Sequence, residues 1–459
     1  MQSYSTCRLL FILESDMIPI EQRLENTSGG IKLARLYLGV ARRNITPEIG
    51  TQLYGYRPDV FAERVADELS ATAFYFKQND TQALMLSINV CLIQTELAQR
   101  ILSLLREKMG FAHCMLCATH THSGPNTAGE VGWGDIDQKY CDAIFIPAIL
   151  AVAQEARTSA QPVKMGVAHG DSFVGVNRRE LTPENKITFG QDPNGCFEPR
   201  MTVISFVGDH GKPVANMIHY GAHATAAGKS VEISRDWPGL MVDALETHTG
   251  AMTAFFNGPE GDVGPRLSNG KTVGNMDYVR ELGAVAAKDA IRIYDKIAGY
   301  DTAELSTSAE LLLLPLKKRM DLQVAKQRLE EYKDKTTNVT GMMKAHFADV
   351  VRSYEEGFAE ESGRPMEQTI LALGDVVFAS FPYELFSELG VKIDAAFDQK
   401  AVLSLSNTNG SEGYFVTRDA LRLGGYEVDM FLYAHLQPYA DHVQAYIVEE
   451  TIRHIQKLK

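Results

Sequence analysis

Strand-like and helical runs alternate along this chain with no low-complexity linker and no internal repeat to separate them. That alternation does most to narrow the folds open to it. Leu36–Arg42, Ala71–Lys77 and Ala83–Ile93 are rich in β-branched, aromatic and apolar residues and predict strands. Thr95–Met109 then changes period: Leu97, Ile101, Leu104 and Leu105 fall on one helical face, and Gly110 stands just past the end, where a helix wants a left-handed residue. Further strands are expected at Cys114–Thr119, Val163–Ala168, Thr202–Val207, Val214–Ile218, Met252–Phe256, Ala309–Pro315, Thr369–Ala372, Val376–Ala379 and Val402–Ser406. Helices are expected at Gln138–Arg157, Pro238–Thr247, Met276–Ile297, Leu385–Phe397 and Val443–Lys457. Met320–Gly363 differs: it is highly charged, helical in pattern and broken near Lys335–Thr340, which predicts a helical hairpin on the surface. The whole reads as an α/β protein, a single large domain over residues 31–459 with a mixed β-sheet core flanked by helices, preceded by a leader at 1–30 expected to be disordered. The pattern leaves strand order open.

Composition bounds the partners. A formal net charge of -13 lacks the basic face a nucleic acid would need. No apolar run is long enough to span a bilayer, so no transmembrane segment is expected. The six cysteines (Cys7, Cys91, Cys114, Cys117, Cys141 and Cys196) have no framework spacing. Cys114 and Cys117, in a strand-like run, read as small buried hydrophobes rather than a redox or zinc pair. Reduced thiols fit a cytoplasmic protein; a secreted one is the alternative, because Leu9–Leu13 is a short apolar run behind the lone Arg8.

The residues with chemical promise cluster in loops. In Cys117-Ala-Thr-His-Thr-His-Ser-Gly-Pro125, residues i and i+2 of a strand end point the same way, so His120 and His122 are expected to project together and begin a metal site. Met217-Ile-His-Tyr-Gly-Ala-His-Ala-Thr225 offers His219 and His223, either of which can equally be a hydrogen-bonded structural histidine. Asn257-Gly-Pro-Glu-Gly-Asp-Val-Gly-Pro265 presents Asp262 or backbone N–H groups to an anion, or is a plain glycine-rich turn. Glu384, in Phe381-Pro-Tyr-Glu-Leu385, is a free carboxylate or merely complements a helix dipole. Tyr414 and Tyr426 are loop tyrosines, a type that usually packs. Arg178 and Arg179, in Val174-Gly-Val-Asn-Arg-Arg179, either hold a carboxylate or carbonyl oxygen or coat the surface.

Taken in order, these segments resemble the N-terminal catalytic domain of the neutral/alkaline, non-lysosomal ceramidase family. The resemblance rests on Ala118-Thr-His-Thr-His-Ser-Gly-Pro125, Asn177-Arg178, His223-Ala-Thr225, Gly261-Asp-Val-Gly-Pro265, Pro382-Tyr-Glu384 and the spaced pair Tyr414 and Tyr426. It runs from Gly39, in Gly-Val-Ala-Arg-Arg-Asn-Ile-Thr-Pro47, to near the end of the chain. It implies one Zn2+ per chain, held by His120, His223, Glu384 and Tyr414. It further implies His122 and Tyr426 as groups that stabilise an oxyanion or protonate the leaving group, with Arg178 orienting substrate. The implied reaction is hydrolysis of an amide, or a related ester or lactone, by metal-bound hydroxide.

The chain departs from the family pattern at Gly264, where true ceramidases carry a serine, and ends without the family's C-terminal immunoglobulin-like domain. Asn126-Thr-Ala-Gly-Glu-Val-Gly-Trp133 also differs from the expected continuation of the His loop. The expected substrate is therefore a smaller or more polar small-molecule amide or ester than ceramide, still possibly lipid-like in part. The alternatives are a true ceramidase releasing sphingosine and fatty acid, and a non-catalytic metal-binding protein on the same scaffold. A TIM-barrel amidohydrolase fits less well, because several strands precede His120 and only His223 follows as a persuasive ligand.

Overall fold

The computed structural model describes residues 34–458; the expected leader and Cys7 lie outside the described residues. Its centre is an eight-stranded mixed sheet in the order Met252–Asn257, Pro213–Tyr220, Arg200–Val207, Gln161–Asp171, Leu36–Asn44, Ser70–Gln78, Thr81–Ile88, Cys114–Ala118. Only the outermost pair at each edge is parallel; every inner pair is antiparallel. This topology excludes a TIM barrel, whose strands are all parallel.

A four-stranded sheet, in the order Leu305–Pro315, Gly363–Leu373, Val376–Ser380, Ala401–Leu405, lies face to face with the larger one. Period-two alternation builds the interface between them. Leu36, Leu38, Phe74, Phe76, Ile204, Phe206 and Met217 of the large sheet meet Leu371, Leu373, Phe378, Leu403 and Leu405 of the small one. The other face of the large sheet is covered by Thr95–Met109 and Ile146–Thr158 on one half and by Asp236–Thr249 and Met276–Tyr294 on the other. The far face of the small sheet takes Ser387–Asp394 and Val443–Gln456. The result is four layers, helix, sheet, sheet, helix: the mixed β-sheet core flanked by helices that the sequence pattern implied, built from two facing sheets.

Helix Thr95–Met109 has the predicted bounds, buries Leu97, Ile101 and Leu105, and ends on Gly110 at φ 72. Other predictions shift. Ala83–Ile93 stops being strand at Ile88, where Asn89 turns to accept from Ser70 N–H and Ser70 Oγ. Gln138–Arg157 is broken by a π turn at Cys141–Phe145, because Pro147 cannot supply the N–H that a continuous helix needs there. Leu385–Phe397 shortens to Ser387–Asp394. Strands Gly175–Leu181 and Ile187–Asp192 were not foreseen; they form an antiparallel hairpin through Asn185 at φ 57. The charged segment does form two helices, Leu322–Glu331 and Asn338–Glu355.

Gly39 shows how tightly helix Ile146–Thr158 lies on the sheet. A Cβ at this position would come within 1.7 Å of the Ala156 carbonyl oxygen. Gly39→Ala is therefore expected to push the helix off the strand and to destabilise the fold by about 1–3 kcal/mol. A urea midpoint equal to that of the parent protein would show that the helix has room to move.

The large sheet curls until its two edges approach. Ser87 Oγ, one strand in from one edge, donates to the carbonyl of Phe255 on the other edge strand at 2.6 Å. Asn257 Nδ2 donates to Thr119 O just beyond the end of Cys114–Ala118. Loops leaving the carboxyl ends of both edge strands therefore emerge side by side.

Candidate metal centre and active site

Five loops meet at that corner, each following the carboxyl end of a strand. Cys114–Ala118 delivers His120 and His122, Pro213–Tyr220 delivers His223, and Met252–Asn257 delivers Glu260. From the small sheet, Val376–Ser380 leads to Glu384 and Ala401–Leu405 leads to Asn407 and Tyr414. Backbone pairing sets the register of these loops. Thr121 bridges Ala224 in parallel, which places the two histidine loops alongside each other. Glu384 pairs directly with Tyr414 in a two-strand parallel ribbon, so it is a strand residue and not the helix-dipole partner the sequence also allowed.

His120 Nε2 lies 3.3 Å and His223 Nε2 lies 3.0 Å from the same atom, Glu384 Oε2. Tyr414 Oη is 3.4 Å from His223 Nε2. The other ring nitrogens face carbonyls: His120 Nδ1 is 3.0 Å from Cys91 O, and His223 Nδ1 is 2.9 Å from Glu260 O and 3.1 Å from Val263 O. Those contacts assign the ring hydrogen of each neutral imidazole to Nδ1 and leave Nε2 with a lone pair. Lone pairs of two imidazoles then face a carboxylate oxygen that has no hydrogen-bond donor of its own. All three residues are buried. Such an arrangement asks for a cation, and orienting ligand histidines through backbone carbonyls is how metal sites are commonly held. Two imidazole nitrogens, a carboxylate and a phenol oxygen suit zinc.

A proton competes with a cation for the lone pair that His120 turns towards Glu384. Burial penalises charge on Glu384, yet His120 and the contacts from both histidines hold it well below the usual carboxylate range. Burial also opposes charge on His120, but Cys91 and Glu384 carry it well above its ordinary value. His223 is pushed down to about 3 by burial and then by Arg178. Burial raises Tyr414 despite the neighbouring guanidinium of Arg178.

His122 stands beside this set, its Nε2 3.3 Å from His120 Nε2. The i+2 strand rule is not the reason. The strand ends at Ala118, and His120 sits at φ 65, a left-handed turn that throws the two rings edge to face with centroids 4.8 Å apart. Burial and the nearby His120 hold His122 well below its ordinary pKa. Arg178 Nη2 donates to Tyr414 Oη at 2.9 Å and Arg178 Nε to Glu427 Oε1 at 2.9 Å; Arg179 Nη1 donates to the other oxygen of Glu427. The Tyr426 ring meets that of Tyr414 edge-on, with centroids 5.8 Å apart.

Two sequence candidates are elsewhere. His219 Nε2 faces Ser404 O at 2.9 Å and is structural. Asp262 accepts from Ser387 N–H, Ser387 Oγ and Asn177 Nδ2, so it ties the glycine-rich loop to a helix and presents nothing to a ligand. Three neighbours were missed. Asn407 Nδ2 lies between Glu260 Oε1, at 2.6 Å, and His120 Nδ1, at 3.3 Å. Burial pushes Glu260 up to about 8 against the pull of His120. Glu427 clamps both arginines, and its signal was available: two adjacent arginines call for a carboxylate, and Glu427 directly follows Tyr426.

The centre opens into a cavity of about 320 Å³ lined by His122, Tyr414, Arg178 and Tyr426, with Tyr56, Trp133 and Phe189 as further aromatic walls. Asn338, at the start of the second hairpin helix, also lines it and is tied to the His loop region by its N–H to Gly132 O. A Cβ on Gly264 would lie 2.6 Å from two carbons of the Thr272 side chain, so Thr272 fills the space a side chain at 264 would take.

Comparison with family models and with curated proteins finds no match. Solved structures do match. The structure of neutral ceramidase from Pseudomonas aeruginosa superposes with a TM-score of 0.71 at 18% identity, covering 91% of this chain and 74% of that one. The chain has a neutral ceramidase-like fold. A second structure, of a ceramidase complexed with C2, gives a TM-score of 0.69 at 17% identity, with the same coverage of both chains. Within this ceramidase-like fold, His120, His223 and Glu384 form a candidate metal-holding group. No helix among the described residues is long and apolar enough to cross a membrane.

Proposed function

We propose that this protein is a zinc-dependent hydrolase that cleaves an amide, or a related ester or lactone, in a small-molecule substrate. The convergence of two lone-pair imidazoles, a donor-free carboxylate oxygen and a phenol at the floor of an aromatic cavity carries this reading. His120, His223, Glu384 and Tyr414 would hold the metal. When bound, a zinc ion there lowers the pKa of a water towards neutrality and polarises a carbonyl.

The chain's own residues supply the rest. His122 is neutral, faces the cavity and adjoins the ligand set, so its ring is placed to take a proton from the attacking water and pass it to the leaving amine or alkoxide. Tyr426 keeps its phenol proton because burial raises it, which leaves an O–H to donate to a developing oxyanion. Arg178 is fixed by Glu427 and in turn holds Tyr414 from behind, so it orients the site while facing the same cavity.

The cavity lies at the low end of the ~300–1,000 Å³ usual for small-molecule sites, which suits a compact amide better than the two long chains of ceramide. The space beside Gly264 belongs to Thr272, so no serine hydroxyl at 264 takes part. Cys91, Cys114, Cys117 and Cys141 are buried free thiols, in keeping with a cytoplasmic setting.

Two measurements test the proposal. Purified protein should carry close to one zinc per chain, and a screen of N-acyl amines, ceramides, lactones and simple esters should show hydrolysis that a chelator removes. Turnover that survives complete metal removal refutes the reading. His122→Ala should keep the metal and lower turnover by about 10²–10⁴-fold; loss of zinc in that variant would mean that His122 is a ligand.

A further inference from the structure

The cavity carries a charge bias at odds with the rest of the molecule. The chain has a formal net charge of -13, yet the charged side chains lining this cavity are Arg178 and Lys229, and no carboxylate lines it. The carboxylates near it are engaged. Glu427 is shared by Arg178 and Arg179, which leaves one guanidinium charge unbalanced in that buried triad. Glu130 accepts from the Tyr54 hydroxyl, and Glu384 faces the two histidines. Lys229 is exposed and, among the described residues, forms no salt bridge; the nearby Glu232 is taken by Arg64 and Ser230.

A second observation comes from Asn338. Asn338 lines the cavity with its Oδ1 buried and without a hydrogen-bond partner. Its backbone is held at φ 52, and its N–H is anchored on Gly132 O, so the side chain is placed by the fold and not by solvent. A buried unpaired amide is costly unless a ligand completes it. Trp133, Phe189 and Val273 give the same cavity an apolar and aromatic lining.

Resting on the hydrolase reading above, we propose that the substrate is a compact amide bearing its own carboxylate, as an N-acyl amino acid does, with the scissile carbonyl at His122 and Tyr414, the anion at Lys229 and the amide N–H donating to Asn338 Oδ1. The lysine ammonium offsets the carboxylate charge, and the buried Asn338 oxygen gains a donor in the substrate N–H. The aromatic walls take the apolar part between them. Unpaired cations at a low-dielectric opening also concentrate anions from solution, which the acidic surface elsewhere repels.

A matched pair separates this inference from the hydrolase reading: N-acetylphenylalanine, and N-acetylphenethylamine, which lacks only the carboxylate. Zinc-loaded protein is assayed for amine release, and binding of each compound is followed by tryptophan fluorescence, since Trp133 lines the cavity and Trp237 is fully buried in the core. The acid is expected to be favoured about tenfold in both readouts, with the ratio falling towards one in Lys229→Gln and in high salt. Hydrolysis of both compounds with equal efficiency overturns the anionic preference and leaves the hydrolase standing. Lysine-dependent preferential binding of the acid without turnover of either compound keeps the anion site and overturns the carboxylated amide as the substrate. Equal binding and no turnover overturn the anion site and the compact amide substrate together.

Discussion

Glu384→Ala is expected to abolish zinc binding and to lower the proposed hydrolysis by at least about a thousandfold, roughly 4 kcal/mol of transition-state stabilisation. The expectation follows from where the carboxylate stands. His120 Nε2 and His223 Nε2 both approach Glu384 Oε2, so this one oxygen is the common neighbour of the two imidazoles. Without it, two neutral nitrogens and a phenol with a raised pKa remain, which is too little negative charge to hold a dication against water. His223→Ala should act in the same direction. Elemental analysis of the purified variants is the deciding measurement; a full equivalent of zinc in Glu384→Ala would overturn the ligand assignment, whatever the activity. The variant should still fold, because Glu384 makes its backbone hydrogen bond to Gly413 O without its side chain.

The second large effect concerns stability. Glu427→Gln is expected to cost about 3–5 kcal/mol, because it removes the only carboxylate shared by Arg178 and Arg179 and leaves two buried guanidiniums unbalanced. The side chains of all three are at most 7% exposed, so water cannot easily replace the lost charge. Arg178→Met should cost less, since Glu427 keeps Arg179. Urea unfolding of the two variants gives the comparison. A smaller loss for Glu427→Gln than for Arg178→Met would mean that the triad is held by packing and not by charge. Because Arg178 also donates to Tyr414, both variants should weaken zinc binding as well.

Much of this centre was legible in the sequence, for identifiable reasons. Long periodic segments such as Thr95–Met109 read correctly because period and cap agree there. His120, His223, Glu384 and Tyr414 were named from motif resemblance, and they meet at one buried point. Local reasoning about why they meet did less well. The strand rule for His120 and His122 fails because the strand ends at Ala118, and a positive φ at His120 does the aiming. Asp262 looked like a presented carboxylate because its loop is rich in glycine, but its partners, Ser387 and Asn177, are remote in sequence. Asn407 and Glu260 went unnoticed for the same reason: their significance lies in a contact between residues 147 apart. The face-to-face pairing of two sheets was equally hidden, because an inward-facing strand looks alike whether a helix or a second sheet covers it.

The curling of the large sheet has a consequence in time. His120 follows one edge strand and His223 follows the neighbour of the other, while Tyr414 lies 191 residues beyond His223 and reaches the corner only with the small sheet. No early segment of the chain contains a usable set of ligands. During synthesis the growing polypeptide therefore passes most of its length without any place for zinc to settle, and the centre appears only when the last strands dock. The proposed metal would therefore be loaded last, and a truncated or half-folded chain is expected to bind none.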